Sequence, residues 1–418
     1  MPRLHNYAAL PLAIATLWTV DAHATDGYFL HGTGAAAKGA GGVAIALPQD
    51  ASSVATNPAT ATEIEQSLDI GVDVFVPNRG ASIRGNAFGL DGDYSGNGAN
   101  PFVLGDISYV HPLSDRVTAA INVYANGGMN SVYRINPFVP LGGAGEAGVD
   151  LKQGFVVPSI AVRVADGHSL GVSAVGLVQG FRAYGIQPFA GASADPANFS
   201  NRGTDWTFGA GLKIGYLGRI GDRVAIGAMY QSKVHSGRFD RYAGLFADAG
   251  SFDVPTSWGL GVSIAASDRL TIAGDFKRIE YSGVESVGNP LSAIFTGKAF
   301  GRDGGPGFGW RDVSVYKVGA VYQASDTLTL RAGYGRSDNP VPPSETLVNI
   351  LSPGVVQDHF TIGASVRLSP NLELSAHALR APRNTVTGQG SIPSPFGGGE
   401  ADIRLAETSA GLAVGVGF

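Results

Sequence analysis

The 418-residue chain contains no cysteine and few charged residues. The absence of cysteine excludes disulfide bonds, thiolate metal ligands and cysteine nucleophiles together. Charged residues make up 15% of the chain and the formal net charge is −5, so no basic surface for nucleic acid is indicated. Beyond the N-terminal region, no run reaches the about 18 apolar residues that a membrane-spanning helix needs. A helical membrane protein is therefore excluded.

Glycine is abundant, with 61 residues, and hydrophobic residues make up 44% of the chain. The mean hydropathy of +0.10 is high for a sequence with so few helix signals. A membrane β-barrel accounts for this combination, because its strands alternate apolar and polar residues and hide their hydrophobicity from a window average. The composition is therefore compatible with a membrane β-barrel.

Residues 1–24 have the composition of a secretory signal peptide. Arg3 precedes an apolar stretch from Ala8 to Val20, and the small residues Ala22 and Ala24 flank His23 as in a cleavage site. We predict cleavage between Ala24 and Thr25, and hence an exported protein.

The segment 25–62 is rich in glycine and alanine and shows neither a strand period nor a helical stripe. Small residues let a backbone fold back on itself in a confined space. We therefore predict that residues 25–62 form a hatch, or plug, inside a β-barrel built from residues 63–418. The sequence Asn57-Pro58-Ala59 lies near the end of this hatch.

From Gln66 onward, alternating segments are joined in pairs by short polar turns. Six such turns and seven longer loops rich in Gly, Pro, Asp and Asn give about fourteen strands, an even number as in single-chain outer-membrane barrels. The predicted loops lie near residues 77–102, 127–150, 184–204, 235–254, 283–312, 338–357 and 382–402.

The alternation itself is compatible with two folds. In Leu270–Lys277 one face is apolar and the other carries Asp275 and Lys277. A soluble sandwich has the same period with its apolar face turned inward. The last strand alternates and stops at Phe418, like the insertion signal that the barrel-assembly machinery reads, and this favours an all-β transmembrane barrel.

Several segments, in this order and spacing, resemble the FadL/TodX (OmpP1) family of outer-membrane transporters for long-chain fatty acids and hydrophobic compounds. They are Gly27–Leu30 with the Gly/Ala segment after it, Asp50–Ala59, Tyr124–Asn130, Ser267–Thr271 with Tyr281-Ser282, Trp310–Tyr322, Leu328–Tyr334 and Ser352–Val356. The resemblance covers nearly the whole chain that follows the predicted signal peptide.

This resemblance implies a fourteen-stranded barrel in the bacterial outer membrane, in contact with lipid and lipopolysaccharide, that passes apolar molecules by diffusion. Ligand would meet an apolar surface among the outer loops and move to a pocket over the hatch. A shift of the N-terminus would open the path, and a kink in the third strand would allow sideways exit. Neither enzymatic activity nor a cofactor or metal is implied.

Three groups of residues are candidates for the path. Phe189, Leu245 and Phe246 could offer an apolar ligand surface, or could only pack the loops together. Asp26, Tyr28 and Phe29 should form the hatch tip, unless they belong to a disordered terminus. Gly127 and Gly128 suit a bend in the third strand, or the start of a loop.

A fatty-acid carboxylate requires a cation in a low-dielectric interior. The alternation places Lys277, Lys317, Arg331 and Arg367 on the lumen face, where they could bind ligand or pair with lumen carboxylates. The family's ligand-pairing cation falls where this chain has Glu285. The choice between fatty acid and neutral hydrocarbon stays open.

Other functions have weaker support. A general porin for polar solutes would need an open lumen, which the hatch argues against. An outer-membrane lipid enzyme would rest on Gly167–Gly171, a G-x-S-x-G sequence that lacks the strand–turn–helix context of a nucleophile elbow. Asp91 and Asp93 resemble half of a calcium loop, but Phe102 occupies the position of the bidentate Glu.

Overall fold

The computed structural model describes residues 26–418. The predicted signal peptide, residues 1–24, and its cleavage site at Ala24/Thr25 lie outside the described residues. Within the described range, the chain forms a closed antiparallel β-barrel of fourteen strands. In this range no helix is both long and apolar enough to span a membrane. The predicted fold class and strand number are therefore confirmed.

Consecutive barrel strands are neighbours, and pairing of the first strand with the last closes the barrel. Two further strands, β2 and β9, are short pieces of the loops that pair with β1 and β7. The strands are β1 (Ser67–Arg84), β2 (Gly92–Ser95), β3 (Phe102–Pro112), β4 (Val117–Tyr133), β5 (Ala147–Ala165), β6 (His168–Tyr184), β7 (Asp205–Ile220), β8 (Val224–Gln231), β9 (His235–Ser236), β10 (Ser257–Ala265), β11 (Leu270–Ile279), β12 (Val313–Gln323), β13 (Leu328–Ser337), β14 (Asp358–Ser369), β15 (Leu372–Val386) and β16 (Glu400–Gly417).

The six short turns all lie at one end of the barrel and the long loops at the other. Several predicted loop boundaries are wrong, because strands continue into Gly- and Pro-containing sequence. Residues 77–84 pair with β16, and residues 127–133 pair with β5. Pro77 lies where β1 has already lost its pairing with β3, so its missing N–H leaves no ladder bond unmade.

The apolar residues of the alternating strands face outward. Ile272, Ile362 and Leu412 are 43%, 65% and 55% exposed, whereas Asp275 and Ser365 on the opposite face are buried. The polar side therefore faces the lumen, as a barrel in lipid requires. Phe418 is also exposed, and its N–H donates to the Gln66 carbonyl. Its predicted role in assembly stays a prediction.

Residues 35–61 form short helical turns enclosed by the barrel wall. Wall glycines allow this close approach: a Cβ at Gly171 on β6, Gly215 on β7 or Gly333 on β13 would lie 2.4, 1.9 or 2.1 Å from a hatch atom. Contacts with strands this far apart in the sheet place the segment across the lumen. The last helical turn ends at Glu63 and β1 begins at Ser67, so the division at residue 62 stays a prediction.

The helical segments are all short. The α-helices are Ala35–Gly39, Ala247–Gly250, Glu285–Gly288 and Thr346–Asn349, and the 3₁₀ helices are Ala51–Ala55, Pro58–Glu63, Val139–Leu141, Gln187–Ala192, Pro196–Asn198, Asp240–Tyr242, Tyr281–Gly283, Leu291–Thr296, Pro343–Glu345 and Ser394–Phe396. Apart from those in the hatch, all lie in the long loops, which fold over the open end of the barrel.

Candidate ligand path through the barrel

The motif Asn57-Pro58-Ala59 anchors the hatch to the wall. The Asn57 side-chain amide donates to the carbonyls of Ile45 (2.7 Å) and Tyr216 (2.9 Å), which joins the hatch to β7. Its oxygen accepts from the Ala59 N–H at 3.1 Å and so begins the helical turn in which Pro58 takes the first position. The motif therefore has a structural role.

Charged wall residues hold the hatch as well. The buried Asp275 carboxylate accepts hydrogen bonds from the backbone N–H groups of Ala44 (2.8 Å) and Ile45 (3.0 Å). The Lys38 ammonium of the hatch pairs with Asp73 on β1. Buried polar groups need such partners, so these contacts favour one position of the hatch.

Strand β4 bends where the wall loses a hydrogen-bonded partner. Pairing between β3 and β4 runs only as far as Asp106 and Tyr124. The register with β5 then shifts between Ala125 and Gly127, as in a β-bulge. From Gly127 to Tyr133 the strand stays paired with β5 and its side chains are buried. Along this stretch β4 therefore lacks direct pairing with β3, and at Val132 its edge is covered by the loop residues Gly96 and Gly98, whose backbones hydrogen-bond to Val132.

The hatch tip occupies part of the free edge of β4. Phe29 forms an antiparallel bridge with Gly127. The N–H of Gly128 donates to the Tyr28 carbonyl at 3.1 Å, and the N–H of Leu30 donates to the Asn126 carbonyl at 3.2 Å. The predicted tip and the predicted bend are therefore in direct contact.

An apolar cavity of about 670 Å³, counting its open mouth, lies among the long loops. Phe189, Leu245 and Phe246, the three loop residues proposed from the sequence, all line it. Among the described lining residues, Ser286 alone has a polar side chain, and its hydroxyl donates to the Ser251 carbonyl. We call this space the outer cavity.

Aromatic rings continue from the outer cavity to the hatch tip. The ring of Phe246 lies 4.9 Å from that of Phe252, which lies 6.3 Å from that of Tyr28. The ring of Trp310 lies 5.9 Å from that of Tyr28. Tyr28 is only 1% exposed. Tyr28 is therefore buried in an aromatic cluster that leads from the outer cavity, although Tyr28 itself does not line that cavity.

Tyr281 holds the tip in this position. Its hydroxyl donates to the Asp26 carbonyl at 2.5 Å and accepts from the Tyr28 N–H at 3.2 Å. By contrast, the Tyr28 hydroxyl has no hydrogen-bond partner among residues 26–418. The position of the tip therefore rests on hydrogen bonds of its backbone and on ring packing, and the Tyr28 side chain can move without breaking a hydrogen bond of its own.

A second cavity of about 630 Å³ lies beneath the tip and is much more polar. Phe29, Lys277 and Lys317, all proposed from the sequence, line it. The Lys277 ammonium lies 4.9 Å from the Phe29 ring centre, and no carboxylate within the described range is in ion-pair contact with it. Lys317 instead pairs with the Asp26 carboxylate at 3.0 Å. We call this space the inner cavity.

The other two proposed cations lie elsewhere. Arg331 donates to Gln49 (2.7 Å) and Ser365 (2.6 Å), between the hatch and the wall. Arg367 is exposed near a short turn, where its N–H bonds to the Thr327 carbonyl. Neither arginine lines the outer or the inner cavity.

Sequence reasoning missed Lys213, which also lines the inner cavity and donates to the Ala55 carbonyl of the hatch. The signal was present, because Lys213 stands between Leu212 and Ile214, which are 59% and 54% exposed on the outer face. A lysine between two such residues must point into the lumen.

The residues of the calcium-loop-like sequence and of the G-x-S-x-G sequence interact with other parts of the protein. Asp91 accepts from the backbone N–H groups of Gly85 and Asn86, and Asp93 pairs with Arg404, so the two carboxylates do not converge. The Ser169 hydroxyl accepts a hydrogen bond from Thr62. It lies in β6 and has no strand–turn–helix context.

Known structures share this fold. A Pseudomonas aeruginosa FadL homologue is 17% identical, with a TM-score of 0.71, covering 94% of this chain and 100% of that one. The Pseudomonas putida toluene transporter TodX is 16% identical, with a TM-score of 0.68, covering 93% of this chain and 99% of that one. These likenesses establish the fold.

Sequence comparison identifies the family. A 47 kDa outer membrane protein of Pasteurella multocida is 24% identical over 216 residues, which span 45% of this chain and about half, 47%, of that relative. The family profile described as "Outer membrane protein transport protein (OMPP1/FadL/TodX)" matches residues 14–378. The chain therefore belongs to the OMPP1/FadL/TodX family of outer-membrane transport proteins.

Proposed function

We propose that this protein takes up hydrophobic small molecules passively across the outer membrane, with the hatch tip as the gate. The observation that carries the proposal is the position of the hatch tip: Tyr28 is buried among the aromatic rings that lead from the apolar outer cavity, and its neighbour Phe29 lines the polar inner cavity. Apolar surface in the outer cavity favours apolar ligands, which leave water on binding. Displacement of the tip would join the two cavities.

The proposed substrate class is based on the residues that line the two cavities and on the structurally similar proteins. TodX is named a toluene transporter and CymD a monoaromatic hydrocarbon channel, and the outer cavity suits such neutral molecules. Lys277 adds to the inner cavity an ammonium that has no carboxylate partner among residues 26–418. We therefore propose hydrocarbons and long-chain fatty acids as the two candidate substrates.

Exit sideways through the wall is the second part of the proposal. The opening between β3 and β4 is bordered by an apolar cluster of Phe75, Phe102 and Leu104, against which Leu30 and Ala125 pack. A hydrophobic molecule that passes such an opening would enter lipid directly and avoid the polar lumen below. The hatch supports this route, because it fills the alternative path along the barrel axis.

A general porin for polar solutes has less support. Such a channel needs a continuous water path, whereas buried hatch atoms lie within 2.4 Å of where a Cβ would project from the facing wall strands. A lipid-acting enzyme also has less support, because the family is described as transport proteins.

Uptake by whole cells tests the proposal. Cells that lack their own carrier would express this protein and receive labelled oleate and labelled toluene separately, with labelled glucose as a polar control. We expect uptake of at least one apolar substrate above vector-only cells and no gain in glucose entry. Uptake of glucose alone, by a correctly inserted barrel, would support the porin instead.

A further inference from the structure

Three buried side chains with metal-ligand chemistry converge at the hatch tip. Asp26 and His31 belong to the hatch, and His359 belongs to β14 in the wall. Their exposed fractions are 0%, 3% and 0%, and their ligand atoms all lie within 4.8 Å of one another. The transport path does not require this grouping.

The polar atoms of this cluster lack hydrogen bonds. Within residues 26–418, both ring nitrogens of His31 and both of His359 have no hydrogen-bond partner, and the same is true of Asp26 Oδ1. The imidazole rings are tilted by 30° with centres 4.8 Å apart. A buried polar atom without a hydrogen-bond partner destabilises the fold, so five such atoms in one place indicate a ligand.

We propose that Asp26, His31 and His359 form a binding site for a divalent transition metal of the zinc class, which latches the hatch tip to strand β14. Two imidazole nitrogens and one carboxylate oxygen are a known zinc ligand set with one position left open. Ligand atoms around tetrahedral zinc lie about 3.3 Å apart, given bonds of about 2.0–2.1 Å. The side chains must therefore close inward slightly as the metal binds.

Lys317 sets the affinity of this site. Its ammonium pairs with Asp26 Oδ2 at 3.0 Å and also donates to the His31 carbonyl, so it places a positive charge beside the metal position. Asp26 Oδ1 stays available as the ligand atom. Replacing Lys317 by an uncharged residue of similar length should therefore strengthen metal binding, whereas loss of either histidine should weaken it.

The consequence for transport rests on the proposed function. A metal held by two hatch residues and one wall residue would restrain the segment that carries Tyr28, which lies between the two hatch ligands in the chain. Bound metal would therefore favour the closed path, and its removal would favour opening.

Metal titration of the purified full-length protein tests the site directly. After treatment with a chelator, the wild type, H31Q, H359Q and K317M would be titrated with ZnCl₂ and with MgCl₂ by calorimetry. H235Q is the matched control, because His235 is an exposed loop histidine. We expect one zinc per wild-type and H235Q chain, binding at least about tenfold weaker in H31Q and H359Q, and tighter binding in K317M.

The change in unfolding temperature on adding zinc is a second measure of binding, which can be used if a variant folds poorly. Zinc should raise the unfolding temperature of the wild type and H235Q but not of H359Q, and circular dichroism would verify the barrel in each. Equal zinc affinity in all variants, or no one-to-one binding to the wild type, would overturn the proposal. Failure of substrate uptake with intact zinc binding would instead count against the proposed function alone.

Discussion

Phe29 in the hatch faces Gly127 across an antiparallel bridge, at the residue where β4 bends away from β3. The proposed gate and the proposed sideways exit therefore meet in one contact. A movement of the tip that breaks this bridge also uncovers the edge of β4 at Gly127. On the proposed function, a single displacement would connect the two cavities and clear the sideways route.

The sideways route predicts that a bulky residue in the wall opening blocks uptake. Ala125 packs against the apolar cluster at the opening, so A125W should remove most uptake of oleate or toluene. Ala119 is a half-buried alanine on the same strand, in the part that pairs with both neighbours. Whole-cell uptake by A119W should match the wild type. Equal uptake by A125W and A119W would argue against lateral exit.

The outer cavity predicts a loss of apolar affinity when charge is introduced. Phe189 is half-buried in the lining, and F189R should weaken apolar ligand binding about tenfold or more, because burial of such a ring contributes about 1.5–3 kcal/mol. F295R makes the same change at a residue that is 53% exposed and outside the lining. Calorimetric titration should separate the two variants; similar losses in both would mean that the cavity does not bind ligand.

The inner cavity predicts that Lys277 discriminates between substrates. K277M removes the ammonium for which the described part of the chain provides no carboxylate partner, so oleate uptake should fall about tenfold while toluene uptake is unchanged. R367M removes a charge near a short turn, away from both cavities, and should change neither. If K277M lowers toluene uptake as much as oleate uptake, the lysine supports the site without binding a carboxylate.

The close contact between the hatch and β7 predicts that one methyl group added at Gly215 lowers stability and opens the lumen. In G215A the new Cβ would lie 1.9 Å from Asn57 Oδ1, so the anchor must move, at a cost of about 1–3 kcal/mol. We expect a lower unfolding temperature and higher ion conductance in planar bilayers. G274A is the control, since its Cβ would meet the Lys317 carbonyl at an ordinary 3.5 Å. Unchanged conductance in G215A would mean that the hatch does not block the lumen through this contact.

The sequence allowed the strand number to be predicted, and for several strands also which face turns toward the lumen. Short polar turns such as Ser267-Asp268 separate strands clearly, and alternation gives the lumen side of residues such as Lys277 and Lys317. Pro77 and Gly127 led to wrong loop boundaries, because both residues lie inside strands. At these two positions the strand pairs with only one neighbouring strand, and such an edge tolerates a missing N–H or an extra residue.

The assembly of the site was beyond sequence reasoning. Alternation gives a side chain's face but not its height along the barrel axis. Arg331 shares the lumen face with Lys317, yet it lies against Gln49 and outside the inner cavity. The meeting of His31 with His359 depends on how the hatch folds back inside the wall, which no local pattern encodes.

The most direct test of the gate is a reversible crosslink between Phe29 and Gly127. These residues face each other while their neighbours make the hydrogen bonds, an arrangement with a Cα separation of about 4.5 Å that suits a disulfide. The chain has no cysteine of its own, so the double variant F29C/G127C carries one defined pair. The single variants F29C and G127C control for the substitutions.

Uptake of oleate and toluene would be measured in cells that express each variant, before and after a reductant, with crosslinking verified on non-reducing gels. A tip that must move predicts that the oxidised double variant loses uptake, that reductant restores it, and that neither single variant responds. Full uptake by the crosslinked protein would contradict hatch gating.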